Sequence, residues 1–240
     1  MSGHSKWSKV KHQKETTDAK KGAAFTKAAA AIIVAVREGG GITDPEKNFR
    51  LRLAVEKARE VNMPKENIAR AIERGAGAEG RIIESMQYEA YGPGGVALII
   101  DAASDNRQRT VAEVKNVLDR GGGTLASPGA VSFLFKYLGV MIVSKDNTPN
   151  FDILLEKAIN AGADDVVEKD ELFEIYSSVH KLHEVTGALA GQGIMISQSA
   201  ITARPLTTVK LDPEKHEKLE KLISDLTDLN DVQDVSTNAE

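Results

Sequence analysis

The sequence predicts an α+β fold, with an N-terminal helical domain followed by two ferredoxin-like α/β domains, the third domain being inserted in the second. Three observations carry this prediction. The first block of the chain shows helical patterning, and the segment 138–206 has the element order β-α-β-β-α-β. Residues 207–240 are too few to bury their own apolar helix stripe, so they are expected to complete the domain that begins at Arg81.

Glycine and proline residues divide the first block, residues 1–80, into three predicted helices. The segment 6–36 contains no proline and is rich in Ala and Lys, which favours a helix ending at Gly39-Gly40-Gly41. Thr43-Asp44-Pro45 predicts the start of a second helix, and Asn62-Met63-Pro64 separates it from a third. The third helix is expected to stop at Gly75.

The hydrophobic period changes after Arg81 from helical spacing to alternation and short apolar runs. The predicted elements are strands near 86–90 and 96–100, a helix over 110–120 and a strand over 131–137. A second cycle follows, with a strand over 139–144, a helix over 151–161, strands over 165–169 and 171–177, a helix over 179–190 and a strand over 195–203. The tail adds a short strand over 207–211, a helix capped by Asp212 with Pro213 at its first position, and a strand over 232–236.

These elements predict three domains with defined boundaries. They are a helical basic domain over 1–80, an α/β domain over 81–137 with 207–240, and an inserted ferredoxin-like domain over 138–206. At 240 residues the chain has room for two or three small domains.

Composition excludes several classes of protein. Hydrophobic residues make up 41% and charged residues 28% of the chain, the balance of a soluble globular protein. The absence of cysteine removes disulfides, Cys-ligated zinc, iron–sulfur clusters and thiol nucleophiles. No stretch is long and apolar enough for a membrane span. We therefore expect a cytoplasmic protein with no membrane partner.

The net charge of −4 conceals a strong asymmetry along the chain. Residues 1–80 hold 16 Lys and Arg against 10 Asp and Glu, a net +6. Residues 81–240 hold 15 against 25, a net −10. A basic first third on an acidic body predicts a polyanionic partner that is held at one end.

The N-terminal run from Gly3 to Lys14 carries the strongest chemical signal. Its lysines are point charges for phosphates, and the only Trp of the chain, Trp7, lies among them as a plane for base stacking. The candidate nucleic-acid-binding residues are Lys6, Trp7, Lys9, Lys11, His12, Lys14, Lys20, Lys21 and Lys27. The alternative is a solvated amphipathic leader whose Trp7 packs on its own bundle, because Lys-rich helices are common.

The segment from Asp105 to Thr110 links a predicted strand to a predicted helix. Arg107 and Arg109 are candidates for gripping phosphate. Asp105 or Asn106 is suited to cap the helix, and a polar connection with only this capping role is the favoured interpretation.

The remaining motifs predict no catalytic residue, no metal site and no cofactor. Gly75 to Gly80 spell G-x-G-x-x-G, but they follow a helix and precede a strand, the reverse of a dinucleotide site, so a linker is expected. His180 and His183 lack a third ligand. The acidic residues around Asp164 lack the spacing and glycine of a calcium loop.

Two other function classes stay open at this point. A ferredoxin-like domain also suits a small-molecule-sensing module that binds no nucleic acid. The second class is a hydrolase, whose carboxylates the acidic cluster around Asp164 would have to supply. Both rank below a non-enzymatic nucleic-acid-binding regulator.

Several motifs, in order along the whole chain, resemble those of the YebC/PmpR family of probable transcriptional regulatory proteins. They are Gly3-His4-Ser5-Lys6-Trp7, Lys11-His12, Phe25-Thr26-Lys27, Asn62-Met63-Pro64, Ile68-Ala69-Arg70-Ala71-Ile72, Tyr91-Gly92-Pro93-Gly94-Gly95, Asp105-Asn106-Arg107 with Arg109-Thr110, Ala161-Gly162-Ala163-Asp164-Asp165 and Asp231-Val232-Gln233. The departures are local: Phe49 stands where the family usually has Pro, Ala90 replaces a Gly, and Ala130 replaces a Ser.

The resemblance implies a three-domain fold and no enzymatic activity. It implies a bacterial cytoplasmic protein that is related to the mitochondrial translational activator of cytochrome c oxidase. Bacterial members are described as DNA-binding transcriptional regulators, and the family also acts in translation, on the ribosome at proline-rich stalls. The expected partner is therefore DNA, or ribosomal RNA within the ribosome. The sequence leaves the oligomeric state open between a monomer and a weak dimer.

Overall fold

The computed structural model describes residues 18–77, 82–146 and 150–240, with side chains from Lys21 onward in the first range. The chain forms two compact units. The first comprises Met1–Leu134 and Pro205–Glu240, and the second comprises Phe135–Arg204, which is inserted in the sequence of the first. The division into three domains with the boundaries given above stays a prediction.

The described residues form seven α-helices and eight strands. The helices are α1 (Asp18–Glu38), α2 (Phe49–Glu60), α3 (Lys65–Ala76), α4 (Arg107–Arg120), α5 (Phe151–Asn160), α6 (Leu182–Gly191) and α7 (Pro213–Thr227). The strands are β1 (Glu84–Tyr91), β2 (Ala97–Ser104), β3 (Thr124–Leu125), β4 (Phe135–Ser144), β5 (Asp165–Glu168), β6 (Leu172–Ser177), β7 (Ile196–Pro205) and β8 (Val232–Thr237). None of the helices in these ranges is long and apolar enough to cross a membrane.

Helix α1 packs against both α2 and α3 in the first unit. The fully buried side chains of their shared core include Ile32, Leu51 and Ala58. Gly75 lies where α3 approaches α1, and a Cβ at Gly75 would stand 2.7 Å from the Cβ of Val36. The predicted helix stop at Gly75 is therefore wrong, because this glycine is buried inside α3 and permits close helix packing.

The start of α2 is set by Asn48 and not by the predicted Thr43-Asp44-Pro45. The Asn48 side chain accepts a hydrogen bond from the Leu51 N–H at 3.1 Å and donates one to the Ala35 carbonyl at 2.9 Å. This side chain caps α2 and ties it to α1. Asp44 and Pro45 instead lie in the turns before the helix.

The first unit also holds an antiparallel sheet with the strand order β3-β1-β2-β8. Its core combines one face of this sheet with α4 and α7. Leu98 and Ile100 of β2 are fully buried there, as are Leu118 of α4 and Leu226 of α7. Asp212 caps α7 with Pro213 following it, as predicted.

The second unit is a four-stranded sheet with the order β5-β6-β4-β7. This is the strand order of a ferredoxin-like fold, and it confirms the expected β-α-β-β-α-β arrangement. The two strands predicted over 165–169 and 171–177 are present as β5 and β6, which form an antiparallel pair. Helix α5 contacts β5 and α6 contacts β4, and the Phe151 ring lies 5.8 Å from that of Phe173.

Strand β4 runs without interruption from Phe135 to Ser144. The separate strands predicted over 131–137 and 139–144 therefore form one strand from Phe135 onward, and residues 131–134 lie outside it. A Cβ at Gly139 would stand 2.7 Å from the Cβ of Leu182, so this glycine serves close packing rather than a turn.

The α+β fold class is confirmed, with a helical region and two antiparallel four-stranded sheets that carry helices.

The two sheets differ in how consecutive strands are connected. In the first unit β1 passes directly into β2 through the turn at Pro93–Gly95, where Gly94 and Gly95 have φ angles of 79° and 76°. Only glycine adopts such angles readily, which accounts for the Gly-Pro-Gly-Gly sequence.

Candidate nucleic-acid interface

Most of the N-terminal candidates lie outside the described residues. These are Lys6, Trp7, Lys9, Lys11, His12 and Lys14. Lys20 lies in the first turn of α1, whose backbone alone is described there. Their role in binding stays a prediction from the sequence.

Two candidates on α1 have described side chains, and they differ. Lys21 is exposed at the N-terminal end of the helix. Lys27 is half-buried and its Nζ donates a hydrogen bond to the carbonyl of Thr227, the last residue of α7. A cation at a helix C-terminus satisfies an unpaired carbonyl and the negative end of the helix dipole. Lys27 therefore joins the helical block to α7.

The connection between β2 and α4 has the predicted capping geometry. The Asn106 side chain accepts a hydrogen bond from the Arg109 N–H at 3.0 Å, so Asn106 is the N-cap of α4. Arg107 is exposed at the first helical position. Its geometry permits contact with a phosphate, and that contact stays a prediction.

Arg109 is held by carboxylates of its own unit. Its Nη2 lies 2.8 Å from Asp231 Oδ2 and 3.2 Å from Asp105 Oδ1, and it donates a hydrogen bond to Ser104 Oγ at 3.0 Å. These interactions raise the pKa of Arg109, with the Asp231 hydrogen bond as the largest cause. The guanidinium therefore stabilises its own unit, and its contact with a phosphate stays a prediction.

Asp231 is the centre of this network. Burial raises the pKa of its carboxyl, but hydrogen bonds from Arg109, Thr110 and Ser104 together hold that pKa below its usual value. The Thr110 hydroxyl donates to Asp231 Oδ2 at 2.7 Å and the Ser104 hydroxyl at 2.9 Å. Asp231 thus joins the start of β8 to the start of α4.

Replacing Asp231 with Asn should lower the free energy of unfolding by roughly 1–2 kcal/mol, because the Arg109 guanidinium loses its anionic partner. Chemical denaturation at neutral pH measures the change. Asp225→Asn, an exposed substitution on α7, is the matched control and should have almost no effect. Equal stabilities of the two variants would show that Asp231 does not hold this end of the sheet.

The helical block carries exposed cations that no sequence motif had marked. Lys57, Arg59, Lys65 and Arg74 are exposed on α2 and α3. Other cations of the block pair internally, as Arg52 does with Glu46 at 2.7 Å. The only signal for these exposed residues in the sequence was their part in the charge of the block.

Two acidic residues of the second unit, Asp165 and Glu174, take part in a structural network. Asp165 lies 2.8 Å from Arg204, whose guanidinium stacks on the Tyr176 ring at 4.2 Å. The Tyr176 hydroxyl donates to the buried Glu174 at 2.8 Å. Burial and then the Glu174 charge raise the pKa of Tyr176. This arrangement accounts for part of the acidic cluster without catalysis.

No group of three or more His, Asp or Glu side chains in the described ranges is arranged to hold a metal ion. His180 and His183 are both exposed.

The helical bundle, the two antiparallel sheets and the charge asymmetry define a two-unit α+β protein with a basic N-terminal helical block. The chain belongs to the TACO1/YebC family. The family model described as "TACO1/YebC protein N-terminal domain" matches residues 5–78, and "TACO1/YebC second and third domain" matches residues 83–239. The resemblance to the YebC/PmpR family is confirmed.

Relatives with high sequence identity carry a regulatory name. A "probable transcriptional regulatory protein" from Caldanaerobacter subterraneus subsp. tengcongensis is 47% identical over 218 residues, which cover 90% of this chain and 89% of that protein. A protein with the same name from Persephonella marina is 49% identical over 217 residues, which cover 90% of this chain and 86% of that one.

A solved structure shares the fold over nearly the whole chain. It is the crystal structure of a conserved hypothetical protein from Aquifex aeolicus, with a TM-score of 0.86 and 44% identity. The match covers 98% of this chain and 96% of the other.

Proposed function

We propose that this protein is a non-enzymatic regulator of gene expression that binds nucleic acid through its basic N-terminal block. The observation that carries the proposal is the division of charge, +6 over residues 1–80 and −10 over residues 81–240. The regulatory name of the relatives supports it. A cytoplasmic location and a monomeric or weakly dimeric state belong to the same proposal.

The physical basis is counterion release from a phosphate backbone. Each lysine that neutralises a phosphate frees a condensed cation, so binding gains affinity that falls steeply with salt. The acidic part of the chain is repelled by the same backbone, so the molecule approaches nucleic acid with its basic block first. Lys21, Lys57, Arg59, Lys65 and Arg74 add exposed charge to that block.

The nucleic acid is either DNA or RNA in the ribosome. Duplex DNA agrees with the name of the relatives, and the resemblance to the family implies a further role in translation at proline-rich stalls. A rigid α/β scaffold with a basic end also suits the recognition of RNA by shape. We therefore include both partners in the proposal.

One preparation of the full chain tests the two partners in parallel. Electrophoretic shifts with promoter-length duplex DNA measure the first interaction, and cosedimentation with purified ribosomes measures the second. We expect the protein to bind at least one of the two partners, with an affinity that falls as the salt concentration rises. Failure to bind either partner at low salt would refute the proposed function.

A further inference from the structure

The segment between β3 and β4 is held by a buried carboxylate that no sequence motif indicated. Glu89 of β1 is only 6% exposed. Its side chain accepts hydrogen bonds from the backbone N–H groups of Gly129 at 2.6 Å, Val131 at 2.6 Å and Ser132 at 2.9 Å. The Glu89 carbonyl accepts a fourth from the Ala126 N–H at 2.8 Å. These four hydrogen bonds to Glu89 therefore fix the backbone of this segment.

The fixed segment presents an aromatic ring to solvent. Phe133 follows the last of these residues and is 68% exposed, the highest value among the large apolar side chains of the described residues. The neighbouring Leu134 makes two backbone hydrogen bonds. Its N–H donates to the Val131 carbonyl at 2.9 Å, and its carbonyl accepts from the Leu206 N–H at 2.8 Å. The backbone on either side of Phe133 is thus tied down, with the ring outside the core.

A second aromatic side chain is attached to the same segment. Tyr91, at the end of β1, is 41% exposed and its hydroxyl donates a hydrogen bond to the Ala130 carbonyl at 3.3 Å. Leu206, also exposed, supplies an apolar edge beside Leu134. An exposed Phe forgoes the favourable free energy that burial of its ring would supply. The backbone hydrogen bonds hold this exposed ring in one position, as a preorganised binding site requires.

The charge of the segment is compatible with nucleic acid. Residues 121–135 contain no Asp, Glu, Lys or Arg, so none of their side chains repels a phosphate. The carboxylate that contacts the segment, Glu89, already accepts hydrogen bonds from three of its backbone N–H groups. An exposed ring on an uncharged, Gly- and Ser-containing segment suits an unpaired base, since every base has a face that stacks on an aromatic ring.

We propose that Phe133 stacks on an unpaired base of the bound nucleic acid, on a segment that Glu89 holds in position. This inference rests on the proposed function, and it specifies that the target includes a single-stranded region. Bases splayed out of loops and bulges are the usual partners of protein aromatic rings. The basic block would then supply affinity through phosphates, and Phe133 would supply the preference for single strands.

The test compares single-stranded and duplex oligonucleotides of the same sequence. Phe133→Ala should weaken single-strand binding by about 5- to 150-fold and leave duplex binding unchanged. The salt slope should also stay unchanged, because stacking releases no counterions. Met195→Ala, which removes an equally exposed apolar side chain from the second unit, is the matched control and should bind as the wild type does.

A spectroscopic readout separates direct stacking from an indirect effect. Because Trp7 is the only Trp, the double variant Trp7→Phe, Phe133→Trp carries its sole indole at position 133. Its fluorescence should be quenched on addition of single-stranded oligonucleotide. Unchanged single-strand affinity in Phe133→Ala, or no quenching at saturation, would overturn the stacking inference and leave the proposed function intact, with an apolar protein as the remaining partner for Phe133. Absence of binding to any nucleic acid by the wild type would overturn both.

Discussion

Replacing Lys6, Lys9, Lys11 and Lys14 with Ala should weaken nucleic-acid binding for all sequences alike. With one phosphate neutralised per lysine, the slope of log K against log salt on duplex DNA becomes shallower by about 3.6. Between about 50 and 200 mM salt, the wild-type protein then loses roughly a hundredfold more affinity than the variant. A salt titration of both proteins with one labelled oligonucleotide measures the difference.

The control changes the same amount of charge at another place. Lys115, Lys181, Lys210 and Lys221 are exposed residues of the acidic part of the chain, and their replacement with Ala removes four positive charges there. This second variant should keep the wild-type salt slope. If both variants lose the same affinity, only net charge matters and the basic block has no special role.

Replacing Glu89 with Gln should lower the free energy of unfolding by roughly 3–5 kcal/mol. The carboxylate is buried and accepts three backbone N–H groups, whereas an amide has a single oxygen and turns its own N–H₂ toward a donor. Chemical denaturation at neutral pH measures the loss, and amide hydrogen exchange should accelerate at Gly129, Val131 and Ser132. Glu84→Gln, an exposed substitution on the same strand, is the control and should change stability by less than about 0.5 kcal/mol.

The effect of Glu89 should depend on pH in one direction. Burial raises the pKa of its carboxyl, but the hydrogen bonds from the N–H groups of Val131, Gly129 and Ser132 together hold that pKa below its usual value. A carboxyl with a lowered pKa in the folded protein stabilises it above its unfolded pKa, and this stabilisation is lost as pH falls through the folded pKa. The difference between wild type and Glu89→Gln should therefore be full at pH 7 and shrink below about pH 4. A difference that is constant with pH would show that the charge of Glu89 is not the source of its effect.

The fold could be predicted where periodicity and capping act locally. The alternation Met86, Tyr88, Ala90 gave β1, and Asp212 with Pro213 gave the start of α7, because each signal lies within its own element. Gly75 was misinterpreted as a helix stop, because tertiary packing determines its role. It lies inside α3 at a close contact with α1.

The candidate site could be predicted only as a distribution of charge. The sequence marked Arg109 and Lys27 as cations, but not that Asp231 and the Thr227 carbonyl would hold them, since these partners lie more than 100 residues away along the chain. The same reason hid Glu89, whose bonds join β1 to a segment about 40 residues later. An isolated glutamate in a strand carries no sign that it will be buried.

Photocrosslinking of the full protein to nucleic acid in living cells, followed by mass spectrometry of the nucleotide-bearing peptides, tests the central claim most directly. The proposed function predicts that the crosslinked peptides come mainly from residues 1–80, with Arg107 as a further predicted contact, and the stacking inference adds the segment 121–135, at Phe133. Crosslinks concentrated elsewhere in residues 81–240, or no crosslinks within residues 1–80, would contradict it.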